Sequence, residues 1–296
     1  MESTKYTAIV LGAGPGGYPC GIRLGQLGVK TLVIEREYWG GVCLNVGCIP
    51  SKALITAGKR VEEIMHAGAM GIEVQGSPVV HMDKLQAWKQ TVVSKLTGGV
   101  RTLLKANKVE MLAGEAKFVG PKVLDVQTKD GVVRVDADNI VIAVGSRPVE
   151  IPGFSFKDAR ILDSTKALAL TEIPKRLAVI GGGYIGLEMG SMFAKLGSSV
   201  TVIEAADQVL PGFDPDCVKL ISRRLKKDKV NVNLKSQALS WEEGDAGATL
   251  NFRTPDGEQS LDVDYILVTV GRRPNTDTCN LEATGVAMEG RFIKTD

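Results

Sequence analysis

Apolar residues in this chain fall into short runs that end at glycine, separated by stretches with helical spacing. Residues 7–35 open with the run TAIVL, which stops at Gly12. A helix-spaced segment follows to Leu27, Gly28 breaks it, and a second apolar run closes on Glu35. That order predicts strand, turn, helix and strand. Residues 176–204 repeat it at an offset of 169, from RLAVI through a glycine turn and Leu196-Gly197 to VTVIE, which ends at Glu204. Two further helices are predicted at 51–68 and 82–106, where apolar positions recur at helical spacing. Residues 109–135 alternate, with Gly and Asp as punctuation, and predict a small antiparallel β-meander before a strand at Ile140. A second echo links NIVIAVGSRP (139–148) to YILVTVGRRP (265–274). Each is an apolar strand ended by Gly, Arg and a proline that forbids continuation.

The two strand exits predict a boundary near Glu150 and a return crossing near Arg272. The expected fold class is α/β, with two Rossmann-like dinucleotide-binding domains, the second inserted in the first. The expected domains are 1–150, 151–271 and a return segment, 272–296. In both copies the turn reads GxGxxG: Gly12, Gly14 and Gly17, then Gly181, Gly183 and Gly186. The first glycine permits the tight turn, the second lets backbone approach a pyrophosphate, and the third packs helix on strand. The helix start offers N–H groups and a positive dipole end to that pyrophosphate. Glu35 and Glu204 then stand where an acid can hydrogen-bond a ribose diol. Packing alone could also demand such glycines, but the whole constellation occurs twice in register.

Composition narrows the partners. With 44% hydrophobic and 24% charged residues over 296 positions, the chain reads as a globular protein with room for two cores. A net charge of +2 supplies no basic field for nucleic acid or an anionic membrane. No apolar run reaches the ~18 residues of a membrane span, and the N-terminus shows no signal-peptide pattern. Five scattered cysteines do not form a secreted disulfide framework, so the expected compartment is the cytoplasm.

The most specific stretch is GGVCLNVGCIPSK, residues 40–52. Cys43 and Cys48 stand five apart, downstream of the first glycine turn, where two thiols can close and reopen a disulfide beside a bound cofactor. A free thiol with pKa ~8.5 is mostly protonated at neutral pH, whereas exchange needs thiolate. Pro50 suits the first turn of a helix, so Cys48 would sit just before a helix N-terminus, whose dipole favours the anion. Cys43, further out on the turn, is better placed to meet an external dithiol. Lys52 lies on the same helix face as Cys48. No metal site is expected: neither the remaining cysteines nor His66 or His81 show zinc-ligand spacing. Cys20 reads as a packing residue, and Cys217 and Cys279 have no partner in sequence. Tyr184 suits either an aromatic gate or a core position.

This stretch, with the doubled glycine motif, resembles the pyridine nucleotide–disulfide oxidoreductases, class I. Leu44, Ile49 and Ser51 are most similar to the dihydrolipoamide dehydrogenase branch. The resemblance implies that Cys43 exchanges with substrate, Cys48 contacts a flavin ring, and Lys52 pairs with Glu188. It implies FAD on the first copy, with contacts from Glu35, Lys52, Ala116, Gly145 and Ser146. The second copy would bind NAD, with Ala238 and Gly271 adding backbone contacts. Glu204 would repel a 2′-phosphate, and no Arg or Lys follows before Lys219. The implied activity is oxidation of protein-bound dihydrolipoamide with NAD reduction. Electrons would pass from dithiol to disulfide, flavin and nicotinamide. The implied partners are the lipoyl domains of 2-oxo-acid dehydrogenase complexes and, in a complete enzyme, a second subunit.

Some positions depart from the pattern. Val42 and Val144 stand where the family usually has Thr, which removes a hydroxyl at each. Nothing after Gly271 resembles the family's later Gly-Asp flavin segment or its interface domain with a His-Glu pair. The chain therefore reads as the front part of such an enzyme, and a non-catalytic nucleotide-binding fragment is the competing reading. Glutathione reductase usually has Lys at the place of Ser51, and mercuric reductase usually carries an extra N-terminal metal-binding module. Thioredoxin reductases carry C-x-x-C in the nicotinamide domain instead.

Overall fold

A computed structural model describes residues 3–244 and 247–295. The chain forms two compact units, each discontinuous in sequence.

The first unit comprises Met1–Ile49, Thr91–Arg147 and Arg272–Asp296. Its six-stranded sheet has the order Glu110–Ala113, Thr31–Glu35, Thr4–Leu11, Gly131–Ile142, Val123–Thr128, Glu115–Gly120. The first four strands pair in parallel, and the last two pairings are antiparallel. Alternation sends Ile9, Leu32 and Ile34 to one face with Phe118 and Leu124, and Val10 and Val33 to the other with Leu44 and Leu104. Helix Tyr18–Gln26 lies close on that second face, because a Cβ at Gly21 would come within 2.7 Å of Val33 Cγ2.

The expected antiparallel meander forms from Glu115–Gly120, Val123–Thr128 and Gly131–Ile142, and the strand at Ile140 is the continuation of the last of these, 12 residues long. Polar residues just before Ile140 are satisfied from the neighbouring strand Thr4–Leu11. Lys5 Nζ lies 3.0 Å from Asp138, and Asn139 Nδ2 donates to Thr7 O at 3.3 Å.

The second unit comprises Pro50–Gln90 and Pro148–Gly271. Its five parallel strands run in the order Asn231–Asn233, Ser199–Ile203, Arg176–Ile180, Tyr265–Val268, Ile161–Leu162. A three-stranded antiparallel sheet, Gln237–Gly244, Gly247–Thr254 and Gly257–Val263, covers part of its core through Leu250 and Phe252. The sequence reading did not anticipate this second meander.

The helices at Cys48–Met65 and Met82–Ala106 form as the spacing predicts, the first starting three residues earlier. Contacts group Pro50–Gln90 with the second unit, whereas the sequence reading kept it within residues 1–150. The physical reason is Leu54, which is 1% exposed within the core built by Leu187, Met192 and Phe193. Gly58 allows that approach, since a Cβ there would lie 3.3 Å from Met192 O. Gly41–Met65 is long and apolar enough, by length and composition alone, to cross a membrane. It is two helices interrupted at Gly47, with Leu44, Leu54 and Gly58 turned inward, and core helices of soluble proteins meet the same measure.

An ion-pair network also holds the 50–65 part of helix Cys48–Met65 within the second unit. Glu62 meets Lys195 at 3.3 Å and Arg224, and both cations meet the nearly buried Asp228, at 3.7 and 3.0 Å. Burial alone would push the Glu62 carboxyl up, but Lys195 and Arg224 outweigh it and hold it below the usual carboxylate range. A depressed folded pKa stabilises above the unfolded value, ~4.3, and that stability is lost as pH falls through the folded value. Glu62→Gln should therefore lower the thermal midpoint at pH 7, and the gap to wild type should close as pH falls through the depressed folded value of Glu62. A gap independent of pH would show that the charge of Glu62 contributes nothing.

Candidate active site

The two glycine turns are alike down to single hydrogen bonds. Glu35 accepts from Ala13 N (2.7 Å) and Glu37 N (2.9 Å); Glu204 accepts from Gly182 N (2.5 Å) and Ala206 N (2.7 Å). Each acid thus ties its own glycine turn to the end of its second strand, and Glu204 is the more buried. Gly12 N donates to Ile34 O at 2.8 Å, as Gly181 N donates to Ile203 O at 2.9 Å.

The glycines divide by what a side chain would meet. At Gly12, with φ +105°, a Cβ would overlap Ala143 O, and at Gly17 it would overlap Gly12 O. In the second copy Gly181 (φ +103°) would press on Thr269 O at 2.7 Å, and Gly186 would overlap Gly181 O. Packing therefore accounts for the first and third glycines. It does not account for the middle ones. A Cβ at Gly14 would find nothing nearer than Gly41 Cα at 3.7 Å, and at Gly183 nothing within 4 Å. These open positions, beside a helix start and an acid, fit a bound dinucleotide whose pyrophosphate lies against the bare backbone.

The cysteines lie against the first turn. Cys43 and Cys48 form a disulfide with their Cα atoms 4.6 Å apart. Cys43 belongs to a six-residue helix, Gly41–Val46, rather than to the turn expected from sequence. Asn45 stabilises that helix from within, donating through Nδ2 to Trp39 O (3.1 Å) and Gly41 O (2.9 Å). Gly41, at φ +64°, could not carry a side chain, because its Cβ would overlap Gly14 Cα. Gly40 N also donates to Ala13 O at 2.9 Å. The redox helix is in this way seated directly on the first glycine turn.

Cys48 is the first residue of helix Cys48–Met65, and Pro50 stands in its first turn, where no intrahelical N–H is required. In the second unit Lys52 Nζ lies 2.7 Å from both Glu188 oxygens, with both side chains partly exposed.

Gly145 (φ +70°) and Ser146 are held from the return segment. Asn275 N donates to Gly145 O, Asn275 Nδ2 to Val144 O, and Arg272 Nε to Ser146 Oγ, each at 2.9 Å. Gly271 (φ +136°) faces open space. Ala116 and Ala238 lie in strands: the Ala116 side chain is buried in the first unit's core, and Ala238 packs partly on the second's. Tyr184 is 58% exposed, which excludes the core alternative. Among the described residues no cluster of His, Cys, Asp and Glu could hold a metal.

Sequence reasoning missed Thr269 and Asn275. Thr269 Oγ1 donates toward Ile180 O (3.1 Å) and Gly181 O (3.2 Å), bracing the second turn. Its signal was available, because Thr269 aligns with Ala143 in the repeated strand.

Known proteins match this arrangement. The chain is 49% identical to the dihydrolipoyl dehydrogenase of Bacillus subtilis over 290 residues, covering 97% of this chain and 61% of that protein. Identity is also 49% with the dihydrolipoyl dehydrogenase of Geobacillus stearothermophilus, covering 96% and 60%. The chain thus spans about 60% of the length of these relatives. Among solved structures, LpdA from Mycobacterium tuberculosis superposes with a TM-score of 0.87 at 25% identity, covering 99% of this chain and 64% of that one. The HOCl-induced flavoprotein disulfide reductase RclA from Escherichia coli gives 0.82 at 28%, covering 97% and 61%. Residues 6–296 match the family described as pyridine nucleotide-disulphide oxidoreductase. With that match along nearly its whole length, the chain belongs to the pyridine nucleotide–disulfide oxidoreductase family.

Proposed function

We propose that this chain forms the flavin-, disulfide- and nicotinamide-binding part of a dihydrolipoyl dehydrogenase, working with NAD on the lipoyl domains of 2-oxo-acid dehydrogenase complexes. The observation that carries this reading is the Cys43–Cys48 disulfide, seated through Gly41 on the first glycine turn.

FAD on the first turn, held by Gly14, the helix start and Glu35, would take two electrons from the dithiol and pass hydride to NAD. The rest is work for the chain's own residues. A substrate thiolate attacks Cys43 Sγ, the Cys43–Cys48 bond breaks, and Cys48 leaves as thiolate. The helix that begins at Cys48 favours that anion. The second substrate thiolate then displaces Cys43, forming the substrate's cyclic disulfide and leaving the two protein sulfurs reduced. Lys52, fixed by Glu188, sets a positive charge one turn further along this helix.

The test is an anaerobic titration of the purified chain, supplied with FAD, with dihydrolipoamide. Stoichiometric flavin absorbance that bleaches on addition is expected. Flavin that NADH bleaches and dihydrolipoamide does not would exclude the dithiol substrate. Failure to retain flavin would favour the non-catalytic reading.

The preference for NAD rests on Glu204. Glu204→Ala also frees Gly182 N and Ala206 N, so part of its effect falls on both cofactors. The ribose role is read in the ratio: NAD should weaken roughly 10- to 100-fold more than NADP, as expected for a lost charged hydrogen bond. Equal losses would remove Glu204 from cofactor selection.

A further inference from the structure

A cavity of about 420 Å³ opens on the second unit, between the C-terminal half of helix Pro215–Lys227 and the edge strand Asn231–Asn233. None of Gly181, Gly183, Gly186 or Glu204 lines it. Its floor is apolar, formed by the buried Val209, Leu225 and Val230. Its rim carries Ser222, Lys226, Lys229 and Asn231, whose side chains have no hydrogen-bond or ion-pair partner among the described residues. The neighbouring Arg224 and Asp228 are engaged with Glu62 and Lys195, which leaves the two rim lysines as uncompensated charge. Lys229 follows the helix in the left-handed region (φ 57°), a turn that returns the chain into the edge strand.

Volume, an apolar floor and a few convergent polar groups are the attributes of a small-molecule site. Two cations with hydroxyl and amide neighbours select an anion, and the floor selects an apolar body. We propose that this cavity is a ligand site for a small organic anion, a carboxylate or sulfonate on a one- or two-ring apolar body, separate from the dinucleotide turn of the same unit. The proposal is independent of the dithiol substrate assigned above.

The probe is 8-anilinonaphthalene-1-sulfonate, titrated by fluorescence against the full chain under saturating NADH. One saturable site is expected. Its affinity should fall roughly tenfold or more in the double variant Lys226→Glu, Lys229→Glu and in Ser222→Trp, which fills the mouth. Lys219→Glu, a charge change outside the cavity, should leave it unchanged. Circular dichroism confirms that each variant is folded, and the surface charge variant serves if the tryptophan variant is not. Absence of saturable binding would overturn the site. So would saturable dye binding that the cavity variants leave untouched, or an equal loss in Lys219→Glu.

Discussion

Cys43→Ser is expected to abolish turnover of dihydrolipoamide, by roughly 10⁴-fold or more, the scale of removing a covalent nucleophile. A serine hydroxyl cannot close a bond with Cys48, so no disulfide exists for an incoming thiolate to break. The glycine turns and Glu35 are untouched, so hydride exchange between NADH and flavin should persist in a complete enzyme. An artificial electron acceptor in place of lipoamide reads that half-reaction. The helix Gly41–Val46 should survive, because Asn45 and the Gly41–Gly14 contact hold it rather than the disulfide alone. The variant does lose a cross-link worth ~2 kcal/mol for so short a loop. Reduced wild type lacks the same cross-link and is the proper stability control. Lipoamide turnover at the wild-type rate would remove Cys43 from the reaction, and loss of both half-reactions would make its role structural.

The constraints that were legible in sequence are local to the backbone. Gly12 and Gly181 must adopt positive φ, and Gly17 and Gly186 must admit a carbonyl, so the same letters recur wherever the same turn is built. The repeated strand–turn–helix units and the cysteine stretch follow directly. What could not be read depends on which surface an element faces. Helical spacing predicts the helix at Leu54 and Gly58, yet nothing in its period says that Leu54 enters the core of Leu187 and Phe193. The helix around Cys43 was hidden because Gly41 and Asn45 are weak helix formers, and its stability comes from an Asn side chain bonded to local carbonyls. The second meander does carry a sequence signal. Residues 248–254 alternate, and the Pro255-Asp256-Gly257 turn joins them to the strand Gly257–Val263.

The middle and third glycines of the second turn should respond to the same methyl group in opposite ways. In Gly186→Ala the new Cβ meets Gly181 O and Thr269 Oγ1, and the backbone carbonyl among them cannot swing aside. Overpacking of that kind costs roughly 3 kcal/mol or more, and the thermal midpoint should fall accordingly. In Gly183→Ala the methyl enters space with nothing within 4 Å, at φ −75°, a conformation alanine accepts readily. Stability should stay within ~0.5 kcal/mol of wild type. Binding is where the cost should appear. Gly183 precedes the first residue of helix Tyr184–Leu196, so its methyl stands where a pyrophosphate must come within hydrogen-bond distance of the backbone. Losing one or two charge-assisted bonds weakens NADH by roughly 10- to 100-fold or more. Gly14→Ala and Gly17→Ala should divide in the same way, with FAD retention replacing NADH affinity as the binding readout. Calorimetric titration with NADH beside thermal denaturation separates the two effects. A Gly183→Ala variant that binds NADH normally would mean that the open space serves no cofactor. One destabilised as much as Gly186→Ala would make all three glycines packing residues, and the second turn would lose its claim to a dinucleotide.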